Sequence, residues 1–324
     1  MFRLAALFGL CGLAATTGIL VWSGYDSVLA ALRVAGWGVL WTSLYHLLPL
    51  MACVIGWRAL LPGRKKPSHL FFLYILWLRG AVNNLMPVAR IGGEIVSVRM
   101  MVKHGMRRST AVASTIVELT LSITAVFLFV LTGILLLSLR IADDDLGWKL
   151  AAGLVATAPM IGALAIVQRV GFFGILDKIF TLLLRDKWAK FAGNGRQLDR
   201  VIHSLYRRKT RVAICGFWQI VSWSGCAGEV WLGLHFLGHP LNLGDSFILE
   251  ALVTGSVSAA FAIPAALGVQ EAGFLFFGHL LGLPPDIAVA LAVIRRCRDL
   301  ILYVPGLIVW QVQEGRWLIK NKAK

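Results

Sequence analysis

The stretch that decides the fold is NNLMPVARIGGEIVSVR, Asn83 to Arg99. It holds two asparagines, a proline, two glycines, a glutamate and two arginines, between segments that are mostly oily. Proline and glycine interrupt helices, and asparagine favours turns and caps over helix interiors. What interrupted backbone means depends on the solvent around it, and composition decides that.

The chain has 324 residues, 58% hydrophobic and 15% charged, with mean hydropathy +0.76. A soluble domain is about a quarter charged. Apolar runs of about 20 residues recur, each long enough to cross about 30 Å of hydrocarbon. The expectation is an all-α polytopic membrane protein. The first run, Leu4 to Trp22 after Arg3, exceeds the 7–15 residues or so of a signal-peptide core, and reads as a crossing. Cys11 follows Leu10, not a small residue, which argues against a lipoprotein signal.

Net charge is +16, gathered at 63–66, 103–108, 169–211 and 316–324, while the acidic ADDD ending at Asp145 stands apart. Basic loops stay cytoplasmic, so orientation accounts for the charge without a nucleic-acid partner. The five cysteines form no C-x-x-C pair and read as packing residues. His235 and His239 are four apart, but Gly238 and Pro240 end a helix there. No metal and no cofactor are expected.

Following the charges gives crossings at 4–22, 37–61, 110–139, 148–168, 211–237 and 286–313, about six in all, with both termini cytoplasmic. The segment about 70–106 starts and ends on basic, cytoplasmic sequence, and its apolar run Leu70–Leu78 is short. It reads as a re-entrant hairpin with Asn83–Glu94 near its tip. The segment 247–283 reads as a second hairpin, entering from the other side. Between the halves, the cytoplasmic loop 169–210 carries an amphipathic helix, with Phe172, Leu176, Ile179, Phe180 and Leu183 on one face. It suits an anionic leaflet.

The halves 1–141 and 148–315 then match as an inverted repeat within one membrane domain, a pattern of secondary transporters. Pro87 to Glu94 and Pro264 to Glu271 both span seven residues; Glu94 to Glu118 and Glu271 to Arg295 both span 24. Interrupted backbone at membrane depth is tolerated inside protein or beside a water-filled cavity. Half-helices starting there offer free N–H groups to anions. Arg90 and Arg99 add charge-assisted donors, and RRCRD places Arg295, Arg296, Arg298 and Asp299 within a crossing, at about 2.5–3.5 kcal/mol per central charge. The expected substrate site takes Arg90, Gly93, Glu94, Arg99, Glu118, Gly268, Glu271, Arg295 and Arg298, a site of excess cation made mixed by Glu94 and Glu271 and facing a polar head group; the alternative is that these charges only pair with one another. Glu229 and Glu250 read equally as ion-pair partners or as proton or cation carriers. Arg58 and Arg79 are expected to snorkel to an interface.

MPVARIGGEIVSVRMM with Glu118, and IPAALGVQEAGF with RRCRD and VPGLIVW, resemble the transmembrane region of the lysylphosphatidylglycerol synthase superfamily over essentially the whole chain. More narrowly, the chain is similar to stand-alone members associated with hopanoid biosynthesis. The resemblance implies a flippase-like lipid mover in a bacterial inner membrane. It also implies that Arg90, Gly93, Glu94, Arg99, Glu118, Glu271 and Arg295 or Arg298 fall on the family's polar core. The synthases' soluble aminoacyl-transferase domain has no counterpart in the short tail after Gln311, so lipid aminoacylation is not expected. The substrate is a membrane lipid, a hopanoid or a phospholipid, and lipid-biosynthesis enzymes are candidate partners. The competing reading is an integral membrane enzyme or accessory subunit of lipid biosynthesis. No P-loop, H-E-x-x-H or aspartate-rich metal motif supports catalysis.

Overall fold

The computed structural model describes residue 30 and residues 33–63, 66–86, 92–140, 195–259 and 268–322. The expected crossings 4–22 and 148–168, the amphipathic segment from Phe172, and Pro87, Arg90 and Pro264 lie outside these. Among the described residues every regular element is a helix: α1 Gly38–Tyr45, α2 Leu47–Leu60, α3 His69–Leu85, α4 Gly92–Lys103, α5 Arg108–Arg140, α6 Gly195–Tyr206, α7 Lys209–Phe236, α8 Leu243–Ala259, α9 Val269–Leu280 and α10 Pro285–Lys322.

Three boundaries differ from expectation. The segment 37–61 is two helices meeting at His46, because Pro49 has no N–H to give the Tyr45 carbonyl. Helix α3 runs through Arg79 to Leu85 rather than stopping with its apolar run. Helix α10 continues to Lys322 and contains Pro305. Gly238 takes φ 74°, a left-handed conformation that ends α7 as its sequence suggested. By length and composition, Gly38–Leu60 and Arg108–Arg140 suffice to cross a membrane. The outward faces carry Trp41, Leu135, Phe217, Phe276 and Ile308, which suits hydrocarbon better than water.

The chain forms two compact units. The first takes Met1–Leu48, Tyr74–Val96 and Gly225–Lys324. In it α8 packs on α9, and α10 packs on α9 and α1. Helix α3 reaches α10 closely because two glycines remove side chains from the contact. Gly80 lies under the Tyr303 ring, and a Cβ on Gly306 would stand 3.1 Å from Trp77 and 3.2 Å from Ala81. Hydrocarbon gives helices no hydrophobic push together, so such small-residue contacts and buried polar bonds hold them. Trp77 Nε1 donates to the Leu302 carbonyl at 2.5 Å, in the turn where Pro305 lacks an N–H.

The second unit takes Pro49–Leu73 and Ser97–Ser224. Helix α6 packs on α5, burying Leu198, Ile202 and Leu205. Trp57 meets Phe72 edge-on at 5.3 Å. Ser222 Oγ donates to the Pro49 carbonyl at 2.7 Å, and Arg211 Nη1 to the Leu61 carbonyl at 2.6 Å.

Candidate functional site

The polar groups of the first unit gather around α10. Arg295, Arg298, Asp299 and Tyr303 recur at three- and four-residue steps, which puts them on one side of the helix. Arg295 grips the Glu250 carboxylate on α8 with both terminal nitrogens, Nη2 reaching Oε1 at 2.7 Å. Glu250 is fully buried and also accepts from Thr254 Oγ1 at 3.2 Å. The Arg295 guanidinium lies 5.7 Å from the centre of the Phe274 ring. Arg296 Nε bonds Glu271 Oε1 on α9 at 2.8 Å.

Farther along, Arg298 bonds Glu229 on α7, and its Nη2 reaches Asp299 Oδ1 at 2.6 Å. His46 completes this cluster. Its Nδ1 stands 2.8 Å from Glu229 Oε2 and its Nε2 3.2 Å from the Tyr303 hydroxyl. Glu229, Arg298, Asp299 and Tyr303 are all buried. Paired and hydrogen-bonded throughout, these charges meet the condition under which ions persist in a dry interior.

The expectation of excess cation is therefore corrected. Arg295, Arg296 and Arg298 are matched by Glu250, Glu271, Glu229 and Asp299, which leaves the RRCRD segment without excess cation. Glu229 and Glu250, read evenly from sequence, are ion-pair partners.

At the first interruption, Arg79 Nε pairs with Glu94 Oε2 at 2.8 Å, with both side chains mostly buried. Arg79 thus points inward instead of snorkelling. The Gly93 N–H donates to Asn83 Oδ1 at 2.8 Å, which ties the start of α4 back onto α3. A Cβ on Gly93 would fall 2.5 Å from the Arg79 carbonyl and 2.6 Å from Asn83 Oδ1, so only glycine fits. At the second interruption Gly268 takes φ 77° ahead of α9. Buried in α9's first turn, Gln270 Nε2 and Glu271 Oε2 have no hydrogen-bond partner among the described residues.

Of the expected site residues, Gly93, Glu94, Gly268, Glu271, Arg295 and Arg298 belong to the first unit, and Arg99 and Glu118 to the second. Arg90 lies outside the described residues. Arg99 is half-buried on α4. Glu118, 1% exposed, accepts from Gln219 Nε2 at 2.8 Å, with Cys53 Sγ 3.6 Å away. Sequence reasoning missed His46 and Arg79 as interior polar groups, and Tyr303 altogether. The usable signals were a histidine three residues before Pro49 in an oily run, and a tyrosine one turn beyond Asp299.

A family model described as the transmembrane region of lysylphosphatidylglycerol synthase matches residues 9–306. The chain belongs to that family. Searches among curated proteins and among solved structures returned no match. As a member of the lysylphosphatidylglycerol synthase transmembrane-region family, the chain is membrane-embedded and concerned with lipid handling. The matched span contains every expected site residue, from Arg90 to Arg298.

Proposed function

We propose that this family member moves an amphiphilic lipid, a hopanoid or a phospholipid, across or within the bacterial inner membrane, rather than altering it chemically. The two interrupted segments act as re-entrant hairpins of an inverted repeat, about six crossings complete the fold, and both termini are cytoplasmic. Supporting this, α3 and α4 have 17 and 12 residues, and α8 and α9 again 17 and 12. At 1.5 Å per residue these are about 25 and 18 Å, each short of a 30 Å or so hydrocarbon layer. Each 12-residue helix carries its glutamate, Glu94 or Glu271, at the third position, held by an arginine.

The observation that carries the reading is the unsatisfied first turn of α9. Gln270 Nε2 and Glu271 Oε2 are buried polar atoms with no hydrogen-bond partner among the described residues, and buried polar groups in folded proteins find one. A lipid head group supplies an acceptor for the amide and a donor for the carboxylate, while the tail stays in hydrocarbon. Gly93, Glu94, Arg295 and Arg298 belong to the same unit as these two atoms.

The test is dithionite quenching of fluorescent lipids in proteoliposomes, scored per folded molecule. Gln270→Leu should leave stability at or above wild type, because it deletes an unsatisfied amide. It should slow lipid movement about tenfold, as a hydrogen bond to a charged group is worth about 1.5–3 kcal/mol. Undiminished movement in both Gln270→Leu and Glu271→Gln would place the head group elsewhere.

A further inference from the structure

The cluster around His46 holds an uneven charge count. Arg298 contributes one positive charge, and Glu229 and Asp299 two negative ones. The neighbouring pairs Arg295–Glu250 and Arg296–Glu271 are each neutral. Among the described residues, these groups around α10 therefore total one negative charge with a neutral imidazole, and zero with an imidazolium. A net charge in a low-dielectric interior is costly, so the set has room for one proton, and His46 is the ring that can take it.

Geometry allows loading and unloading without strain. Nδ1 stands 2.8 Å from Glu229 Oε2, which only accepts, and 3.3 Å from Arg298 Nη1, which only donates. The shorter contact fixes a hydrogen on Nδ1. The free position is then Nε2, 3.2 Å from the Tyr303 hydroxyl. With Nε2 bare, the hydroxyl donates to it. When Nε2 binds a proton the new N–H donates, and the hydroxyl rotates to accept. No heavy atom has to move.

We propose that His46 Nε2 is a proton-binding site that couples a proton to lipid movement, an inference that rests on the transport reading for its second half. Every element around the ring contributes charged or titratable groups. Arg298, Asp299 and Tyr303 face it from α10, Glu229 and Cys226 lie on α7, and Tyr45 adjoins it on α1. Arg295 on α10 and Glu250 on α8 act on these from beyond. The Arg79–Glu94 pair sits beside Gly80, on which the Tyr303 ring rests. The ring also occupies the joint between α1 and α2. Proton uptake adds a cation facing Glu229 and so tightens α1 against α7. Proton loss loosens the same clamp. One proton thus biases the one joint in the Gly38–Leu60 span.

Two measurements separate the halves of the proposal. Nitrogen-15 NMR of histidine-labelled protein in nanodiscs, from pH 5 to 8, follows the seven histidines, and His46→Gln assigns the signal. The expected result is an Nε2 resonance that moves from the bare to the protonated position, with Nδ1 protonated throughout. Tyr303→Phe, which removes only the hydroxyl and spares the ion pairs, should shift that midpoint. A His46 signal fixed over the whole range, or a midpoint unmoved by Tyr303→Phe, overturns the proton site. In proteoliposomes, an imposed pH gradient should change the wild-type lipid rate at least threefold, and Tyr303→Phe should blunt the response. A wild-type rate indifferent to the gradient overturns coupling. Absence of lipid movement at any pH overturns the transport reading while the NMR result still decides the proton site.

Discussion

Replacing Glu250 by glutamine tests whether the α8–α10 contact is electrostatic or merely steric. The side chain has 0% exposure, two guanidinium bonds from Arg295 and one hydroxyl bond from Thr254. Glutamine keeps the volume but removes the charge and turns one acceptor into an N–H that faces another N–H. A buried cation stranded in this way costs about 3–5 kcal/mol. Arg295→Met strands the carboxylate instead and costs a similar amount. If the two losses were independent, the double variant would lose about 6–10 kcal/mol. Because each single loss is that of an uncompensated charge, Glu250→Leu with Arg295→Met should return close to wild type, or exceed it by about 1–4 kcal/mol. The assay is reversible unfolding in mixed micelles titrated with SDS, followed by tryptophan fluorescence. Additive losses in the double variant would refute the reasoning.

Gly93→Ala places a methyl group 2.5 Å from the Arg79 carbonyl and 2.6 Å from Asn83 Oδ1; it should lose about 1–3 kcal/mol in the same unfolding assay, and unchanged stability would mean that α3 and α4 are not in close contact. Glu118→Gln should lower stability, because the buried carboxylate accepts from the Gln219 amide and a neutral amide is the weaker acceptor; an unchanged SDS titration would overturn that. Lys66, in the loop before α3, has its pKa lowered by burial and by Arg211, Arg58 and Arg208. The folded protein then holds this proton less tightly than the unfolded chain, so stability should rise with pH through the alkaline range below lysine's ordinary value and fall again as pH drops through the lowered one. Lys66→Met should flatten that rise in a thermal scan series from pH 8 to 10.

Much of the first unit's local grammar was legible. Gly92, Gly93 and Gly268 announced helix starts, and Glu94 and Glu271 lay in first turns. These features depend on neighbours within a few residues, and sequence displays neighbours. Partners were less legible. His46 meets Arg298 across 252 residues and Glu229 across 183, and nothing near SLYHLLPL hints at either. Arg79 looked like an interfacial residue because the apolar run before it ends there, but its partner Glu94 lies 15 residues on, beyond the break. The cations of RRCRD were visible; their neutralisation was not, because Glu229, Glu250 and Glu271 lie on three other helices.

The pairing around α10 also has a direction in time. Glu229, Glu250 and Glu271 all precede their arginines in the chain, so a ribosome delivers the acids to the membrane first. Glu250 waits 45 residues for Arg295, about 2–9 s at 5–20 residues per second or so. A lone carboxylate in hydrocarbon takes up a proton rather than stay charged. Docking of the last helix must then expel those protons, which makes the closing step of assembly in the bilayer a proton-releasing reaction and leaves chains cut short before Arg295 with Glu250 and Glu271 deprived of their arginines as a mark for quality control.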